Sequence, residues 1–119
     1  MDTSTLTLAE VETDVLAALM RARIPMTVLD ARSPRPGAER IPGARYLSPE
    51  ASDDVIARVL PDKSALIVTY CGGPQCSLSV HLADRLRTLG YENVLEYRPG
   101  FEGWRQAGHS VEQLDPTYE

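Results

Sequence analysis

A short glycine-containing turn, from Tyr70 to Ser77, carries both cysteines of this 119-residue chain. It opens with Cys71-Gly72-Gly73, follows an apolar run and precedes a helix-like run. This placement predicts a thiol at the end of a buried strand, facing the N-terminus of the next helix. Unpaired backbone N–H groups and the positive end of the helix dipole favour the thiolate there. Because the thiolate is the nucleophile, the sequence predicts cysteine chemistry at Cys71.

The two glycines after Cys71 indicate a reactive cysteine rather than a structural one. A buried Cys71 acting as a small apolar side chain would gain nothing from them. Gly72 and Gly73 instead let the backbone curl until several N–H groups converge on one point. That convergence suits an anion at sulfur, whether a thiolate, a persulfide or the oxyanion of a bound substrate. The predicted anion-binding loop comprises Gly72, Gly73, Pro74, Gln75, Cys76 and Ser77.

Cys76 follows Cys71 by five residues, at the junction of loop and helix. As a redox partner or sulfur relay it would use the short distance between the two ends of a tight loop. As a zinc ligand it would need a second close pair of ligands, which two cysteines and two histidines do not supply. Simple packing at the helix start is the third interpretation. The redox role and the packing role both stay open.

Neither histidine is predicted to serve as a base for the cysteine. His81 falls on the polar face of the helix, away from its leucine stripe, so we expect it to be exposed. His109 lies in a Gly-Ser context and is predicted to be a surface loop residue. A protease-type Cys/His pair is therefore not expected. No metal-ligand cluster, phosphate-binding lysine loop or serine elbow motif is found in the sequence.

Asp30 and Arg32 follow the first predicted strand. They form either a structural pair that braces the loop or a contact to substrate. Further arginines in predicted loops are candidates to supply positive charge for an anionic donor, although most surface arginines have no such role. These are Arg35, Arg40, Arg45 and Arg98.

Composition describes one globular domain over residues 1–119, large enough for a core without disulfide or metal staples. The net charge of −5 disfavours nucleic acid and anionic membrane surfaces as partners, since no basic stripe is present. The first residues carry no basic stretch and lead into no long apolar segment, so no targeting peptide or membrane span is expected. A cytoplasmic location follows as the expectation, and there two cysteines are typical of a reactive or ligating pair.

Helical and strand patterns alternate along the chain. Helices are predicted over residues 8–23, opened by a Thr7/Glu10 capping box, and over 53–60, 77–89 and 100–107. Strands are predicted over residues 27–30, 65–70 and 94–97, with a short one at 46–47. This alternation predicts an α/β fold of three layers, a mainly parallel sheet with helices on both faces. Sites in such sheets form at the carboxyl ends of strands, where Asp30 and Cys71 both lie. Residues 1–6 and 114–119 are predicted to be flexible ends.

Five segments, in the same order along the chain, are similar to those of one family. They are Val28-Leu29-Asp30-Ala31-Arg32, Ile41-Pro42-Gly43-Ala44, Val68-Thr69-Tyr70-Cys71, Gly90-Tyr91-Glu92-Asn93-Val94, and the segment from Gly100 through Trp104 to Glu112. Through them the chain resembles a single-domain rhodanese of the sulfurtransferase family, over roughly residues 8–112.

The resemblance implies a rhodanese-like fold with Cys71 as the catalytic nucleophile. Its thiolate would attack the outer sulfur of a donor such as thiosulfate, 3-mercaptopyruvate or a low-molecular-weight persulfide. The loop amides from Gly72 to Ser77 would cradle the resulting persulfide. A thiol acceptor, such as glutathione or a thioredoxin-like protein, would then take the sulfur. Neither a metal nor an organic cofactor is implied.

Two positions depart from the family pattern. Cys76 stands five residues after Cys71, where many members carry a basic residue that would help bind a sulfonate. Its absence also disfavours the related phosphatases and arsenate reductases, which need a cation over a tetrahedral oxyanion. Arg40 stands where the family often has histidine before its I-P-G-A segment. With Asp30 and Arg32, Arg40 is a candidate supporting residue.

The leading hypothesis is therefore a sulfurtransferase acting through a Cys71 persulfide, with Cys76 as relay or redox guard. The alternative is a redox- or persulfide-sensing module that acts through a reversible Cys71–Cys76 disulfide. A non-catalytic scaffold is a third interpretation, disfavoured by the intact Cys71. The same fold can serve all three functions, so they must be distinguished by measuring whether the protein transfers sulfur repeatedly.

Overall fold

The computed structural model describes residues 10–114 of the chain. Its helices in this range are α1 (Thr13–Arg21), α2 (Asp53–Val59), α3 (Leu78–Thr88) and α4 (Gly100–Gln106). Its strands are β1 (Thr27–Asp30), β2 (Glu39–Arg40), β3 (Arg45–Tyr46), β4 (Leu66–Tyr70), β5 (Asn93–Glu96) and β6 (Glu112–Gln113).

Four strands form a parallel sheet in the order β3-β1-β4-β5, and β2 pairs with β6 in a small antiparallel ribbon. The ribbon was not predicted, because its strands are only two residues long and lie far apart in sequence. In the main sheet Asp30 is the register partner of Tyr70, so the carboxyl ends of β1 and β4 coincide. The prediction of a three-layer α/β fold is confirmed.

The central strand β4 separates two hydrophobic clusters by the alternation of its side chains. One cluster joins the sheet to α2 and α3, and includes Ile67, Cys71 and Leu82. The other joins the sheet to α1 and α4, and includes Val68 and Tyr70. Because both faces are covered, β4 is an almost continuous apolar run. The same alternation places the Cys71 side chain on the α3 side and the Tyr70 ring on the α4 side.

The first helix begins later than predicted. Residues 10–12 are extended: Glu10 bridges to Glu96, and the Val11 N–H donates to the Glu96 carbonyl at 3.1 Å. This contact to β5 holds residues 10–12 extended, so α1 starts at Thr13, inside the range predicted for the helix. On α1, Leu16 and its neighbour Ala17 are buried, whereas Val15 is 48% exposed. Thr7 lies outside the described residues.

Two further helix ends are set by local residues. The Ser52 hydroxyl caps α2 by accepting the Val55 N–H at 3.2 Å. Gly90 follows α3 with a φ of +100°, the left-handed conformation expected of a residue that ends a helix. In α3 the stripe is narrower than predicted: Leu82 and Leu86 are buried, but Leu78 is 39% exposed.

Of the predicted flexible ends, residues 1–6 and 115–119 lie outside the described range. The remaining residue, Leu114, is buried, and its N–H donates to the Ala38 carbonyl at 2.8 Å. Within residues 10–114, no helix has the length and apolar character needed to cross a membrane.

Candidate active site at the carboxyl end of the sheet

Cys71 lies directly after the last residue of β4 and is 1% exposed. Its Sγ is 3.8 Å from the Oγ of Ser79, a buried residue in the first turn of α3. The Thr69 Oγ1 donates to the Ser79 carbonyl at 3.0 Å, which fixes the start of α3 against the end of β4. The structure therefore sets the sulfur between a strand end and a helix start, as predicted. Ser79 was missed, because its burial depends on how α3 packs.

The two cysteines are joined by a disulfide. Their Cα atoms are 6.4 Å apart, within the range that disulfides span. The loop between them is folded back by a hydrogen bond from the Cys76 N–H to the Gly73 carbonyl at 3.1 Å. Cys76 is partly exposed and packs at the edge of the cluster that buries Cys71. The redox interpretation of Cys76 thus has a geometric basis, and its side chain also packs at the helix start.

The start of α4 holds the cysteine loop from the other side. The N–H groups of Phe101 and Glu102 donate to the carbonyls of Cys71 and Gly72, both at 2.8 Å. Gly100 has a φ of +69°, and a Cβ placed there would lie 2.6 Å from the Cys71 carbonyl oxygen. Only glycine permits this approach. The sequence analysis gave Gly100 no role at the site, although it opens one of the five family-like segments.

Several backbone donors of the loop have no acceptor within the protein. Among residues 10–114, the N–H groups of Gly72, Gly73, Gln75 and Ser77 donate to no backbone or side-chain oxygen. These groups, together with the N-terminus of α3, make the loop favourable for a negative charge. Pro74 supplies no N–H, and its carbonyl accepts a long hydrogen bond from the Arg98 guanidinium at 3.4 Å.

Acidic and basic side chains around the loop do not form a cationic cradle. The carboxylate of Glu102 lies beside Gly73: its Oε1 is 2.8 Å from where a Gly73 Cβ would be placed. The Arg45 guanidinium lies 3.4 Å from the Val59 carbonyl at the end of α2, and no contact with the loop is found for it among the described residues. The position occupied by Cys76 adds no charge. The Arg98 guanidinium at the Pro74 carbonyl is offset by the Glu102 carboxylate, so a doubly charged oxyanion finds less compensation here than a thiolate or persulfide does.

Asp30 and Arg32 form a two-pronged ion pair. The fully buried Asp30 carboxylate accepts from Arg32 Nε at 2.9 Å and Nη2 at 2.7 Å, and from the Arg32 backbone N–H at 2.9 Å. The hydrogen bond to Asp30 raises the pKa of Arg32. The guanidinium also lies 5.2 Å from the centre of the Phe101 ring and 5.9 Å from that of Tyr70. This geometry favours the bracing role over a substrate contact.

The buried Tyr70 hydroxyl adds a hydrogen bond beside the Asp30–Arg32 ion pair, and these three residues are called the brace. It accepts the Ile41 N–H at 3.0 Å, and burial raises the pKa of Tyr70 far above its ordinary value. This hydrogen bond to the neutral Tyr70 hydroxyl connects the loop after β2 to the end of β4. Because Tyr70 and Phe101 lie in the α1/α4 cluster, the brace sits on the opposite face of the sheet from the Cys71 side chain.

Arg40 has a structural partner rather than one in the cysteine loop. Its guanidinium is 3.4 Å from the Glu112 carboxylate and 5.4 Å from the centre of the Tyr46 ring. Glu112 also accepts the Gly43 N–H at 2.8 Å, and that hydrogen bond, with the one from Arg40, lowers the pKa of Glu112. Arg40 thus links the β2/β6 ribbon, and the described residues include no contact between it and the loop.

The histidines are not placed to act on the cysteine. His81 is exposed on α3, as predicted. His109 is half-buried because its ring packs on that of Trp104, with centres 4.5 Å apart. The surface-loop prediction for His109 missed this contact, which no local pattern reveals. In the described part of the chain, no cluster of His, Cys, Asp or Glu side chains is arranged to hold a metal ion.

A cavity of about 410 Å³ opens on the brace side of the loop. It is lined by Arg32, Ser33, Arg35, Ala38, Glu39, Tyr46 and Phe101. Neither cysteine lines it, so the cavity is not the place where sulfur would be exchanged in this disulfide-bonded state.

Comparison with known proteins agrees with this geometry. The model of the rhodanese-like domain matches residues 12–107. No functionally curated protein matches the sequence. A solved Bacillus halodurans protein is 24% identical, with a TM-score of 0.82 over 98% of this chain and 89% of that one.

Two larger enzymes contain a region of the same fold. A thiosulfate sulfurtransferase from Pseudomonas aeruginosa is 23% identical, with a TM-score of 0.75 over 94% of this chain and 22% of that one. A 3-mercaptopyruvate sulfotransferase from Escherichia coli is 21% identical, with a TM-score of 0.72 over 90% of this chain and 51% of that one. At these identities the likeness establishes the fold. With the family model covering most of its length, the chain belongs to the rhodanese-like domain family.

Proposed function

We propose that this domain is a sulfurtransferase that carries sulfane sulfur as a persulfide on Cys71. The observation that carries the proposal is the position of Cys71 at the carboxyl end of β4, in a loop whose free N–H groups suit an anionic sulfur. Membership of a family that includes sulfurtransferases supports it. The reaction belongs in the cytoplasm, where thiols are available to reduce the resting disulfide.

The catalytic cycle starts from the reduced pair. The Cys71 thiolate attacks the outer sulfur of the donor, and the remainder of the donor leaves with the bonding electron pair. The loop amides of Gly72 to Ser77 then stabilise the terminal sulfur, which is anionic near neutral pH. A thiol acceptor, such as glutathione or a thioredoxin-like protein, finally attacks that outer sulfur and regenerates the Cys71 thiolate.

The charge around the loop favours some donors over others. Thiosulfate brings a doubly negative oxyanion to a loop with no cation at position 76, where the Arg98 guanidinium at Pro74 is offset by the Glu102 carboxylate beside Gly73. A singly charged 3-mercaptopyruvate or a low-molecular-weight persulfide meets less repulsion. We therefore expect these two donors to load sulfur onto Cys71 more efficiently than thiosulfate does.

Mass measurement of the intact protein tests the proposal. Reduced protein is exposed briefly to each donor in turn, and then to an excess of glutathione. The expected result is a gain of one sulfur atom in Cys76→Ser that is absent in Cys71→Ser, followed by its repeated transfer to glutathione. Failure of every donor to load sulfur on Cys71 in either the wild type or Cys76→Ser would overturn the proposal.

The disulfide favours a second candidate function, a redox- or persulfide-sensing module. A sensor needs two stable states of one element, and the Cys71–Cys76 pair offers a reduced and an oxidised form. Turnover discriminates between the two functions. An enzyme passes many sulfur atoms per chain to added thiol, whereas a sensor changes state once and transfers no sulfur catalytically.

A further inference from the structure

The Sγ atoms of Cys76 and Cys71 meet directly, and this identifies which sulfur of a persulfide Cys76 can attack. We propose that Cys76 attacks the inner sulfur of the Cys71 persulfide, so that the domain releases the carried sulfur as sulfide and closes its own disulfide. This inference rests on the proposed function, because it starts from the loaded Cys71. It adds a second activity, the reduction of sulfane sulfur to sulfide.

The step balances without an external oxidant. The Cys76 thiolate donates its electron pair to Cys71 Sγ, forming the Cys71–Cys76 bond. The bond between Cys71 Sγ and the outer sulfur breaks, and the outer sulfur leaves with that electron pair as hydrosulfide. The sulfane sulfur is reduced by two electrons, and the two cysteine sulfurs together supply them. The product is the disulfide that the structure contains.

The geometry favours attack on the inner sulfur. The Cα atoms are 6.4 Å apart, and the Cys76 N–H to Gly73 carbonyl bond holds the loop folded with the two side chains facing each other. A relay would instead require Cys76 to reach the outer sulfur, which is displaced from Cys71 Sγ by a further S–S bond of about 2 Å. The disulfide shows that the fold of the loop allows Cys76 to reach this inner atom.

Burial favours Cys76 over an external thiol at that atom. Cys71 is 1% exposed, and its sulfur lies against Ser79 and the α3 side of the core, so a bulky thiol has little access to the inner sulfur. Cys76 belongs to the same loop and competes as an intramolecular nucleophile with a high effective concentration. The departure from the family pattern at position 76 thereby acquires a chemical role.

The same difference in exposure decides how the disulfide is reopened. Cys76 is partly exposed, so a reductant attacks its Sγ and expels Cys71 as the thiolate. The loop N–H groups that have no other acceptor stabilise this leaving group. A second thiol of the reductant then attacks the reductant sulfur of the mixed disulfide, which closes the reductant's own disulfide and releases Cys76 as the thiolate. The partner that completes the cycle is therefore a dithiol reductant, small or protein-borne.

A single-turnover experiment without added thiol tests the proposal. Reduced wild type and Cys76→Ser are freed of reductant and loaded with thiosulfate or inorganic polysulfide, neither of which carries an organic thiol. The donor is removed, and released sulfide and intact mass are followed over time. We expect the wild type to release one sulfide per chain and to end two hydrogens lighter than its reduced form. Cys76→Ser should keep the extra sulfur and release sulfide at least about 100-fold more slowly.

Each other outcome has a defined meaning. If the wild type retains the extra sulfur on Cys71 with Cys76 free to be alkylated, the inference is wrong and the sulfurtransferase proposal stands. If peptide mapping finds the sulfur on Cys76, attack occurs at the outer sulfur and the inference is also overturned. If Cys76→Ser loads from none of the donors, the proposed function itself has failed. Cys71→Ser, which keeps the partner thiol, should neither load nor release sulfide.

A separate experiment tests which sulfur of the Cys71–Cys76 disulfide the reductant attacks first. Oxidised protein is treated with one equivalent of glutathione, quenched with acid and mapped for the mixed disulfide. We expect glutathione on Cys76. Its accumulation on Cys71 would overturn the assignment of Cys76 as the accessible sulfur.

Discussion

Replacing Gly100 with alanine tests whether α4 holds the cysteine loop in its reactive shape. The residue has a φ of +69°, and an added Cβ would lie 2.6 Å from the Cys71 carbonyl oxygen and 2.7 Å from the Gly73 nitrogen. These are backbone atoms, which cannot turn aside as a flexible side chain can. The substitution therefore forces α4 and the loop apart, weakening the hydrogen bonds from the Phe101 and Glu102 N–H groups.

The magnitude follows from two separate costs. Holding alanine in the left-handed region costs about 1 kcal/mol, and forcing a methyl group into a filled space adds about 2 kcal/mol. Gly108 provides the matched control, because its φ is +85° but nothing lies within 4 Å of an added Cβ. Gly108→Ala should thus lose only the backbone term, about 1 kcal/mol.

Thermal unfolding of the reduced proteins measures the difference. For a domain of this size, an extra 2 kcal/mol lowers the midpoint of Gly100→Ala by about 8 °C relative to Gly108→Ala. Sulfur loading, measured well below both midpoints, should be slowed in Gly100→Ala and unchanged in Gly108→Ala. Equal midpoints and equal loading rates in the two variants would refute the claim that α4 shapes the loop.

Two further predictions concern the ion pairs. Arg32→Ala leaves the fully buried Asp30 carboxylate without its cation and should lower the free energy of unfolding by about 3 kcal/mol, as measured by denaturant titration. Arg32→Lys should recover only part of this free energy, because lysine keeps the positive charge but lacks the planar guanidinium that donates to both carboxylate oxygens. A loss below about 1 kcal/mol in Arg32→Ala would contradict the bracing role. Glu112→Gln tests how the stability of the fold depends on pH. The Gly43 N–H and Arg40 lower the folded-state pKa of Glu112. The stabilisation by Glu112 is therefore present above its unfolded-state pKa and is lost as the pH falls through its folded-state pKa. The glutamine variant should show a shallower loss of stability below the ordinary glutamate pKa, and parallel acid profiles for the two proteins would count against this contribution.

Much of the fold follows from local patterns. The apolar run before Cys71 predicts a strand covered on both faces, and β4 is such a strand because α3 and α4 pack on opposite sides of it. Ser52 and Gly90 act as helix cap and helix stop through their own backbone neighbourhoods, so a single sequence is enough to assign them. The position of Cys71 at a strand end and a helix start is local in the same sense.

Other features depend on residues far apart in the chain. The start of α1 was misplaced because the Val11 N–H finds its acceptor on Glu96, a residue no capping pattern can include. The exposure of Leu78 depends on the direction in which α3 leaves the loop, and its helical spacing carries no such information. Whether Asp30 and Arg32 brace the loop or face a substrate likewise depends on tertiary contacts, here the Tyr70 and Phe101 rings that lie beside the guanidinium.

By itself, the sequence predicted cysteine chemistry, the parallel α/β architecture and the place of Cys71 at the head of the loop. Each of these depends on residue types and spacings within one element or one turn. The tertiary structure decided how that loop is held, through Gly100 beneath Cys71, and which sulfur atoms meet, through the contact of Cys71 with Cys76. Those features depend on backbone segments brought together by sheet pairing and helix packing, and distances across such contacts are not encoded in local patterns.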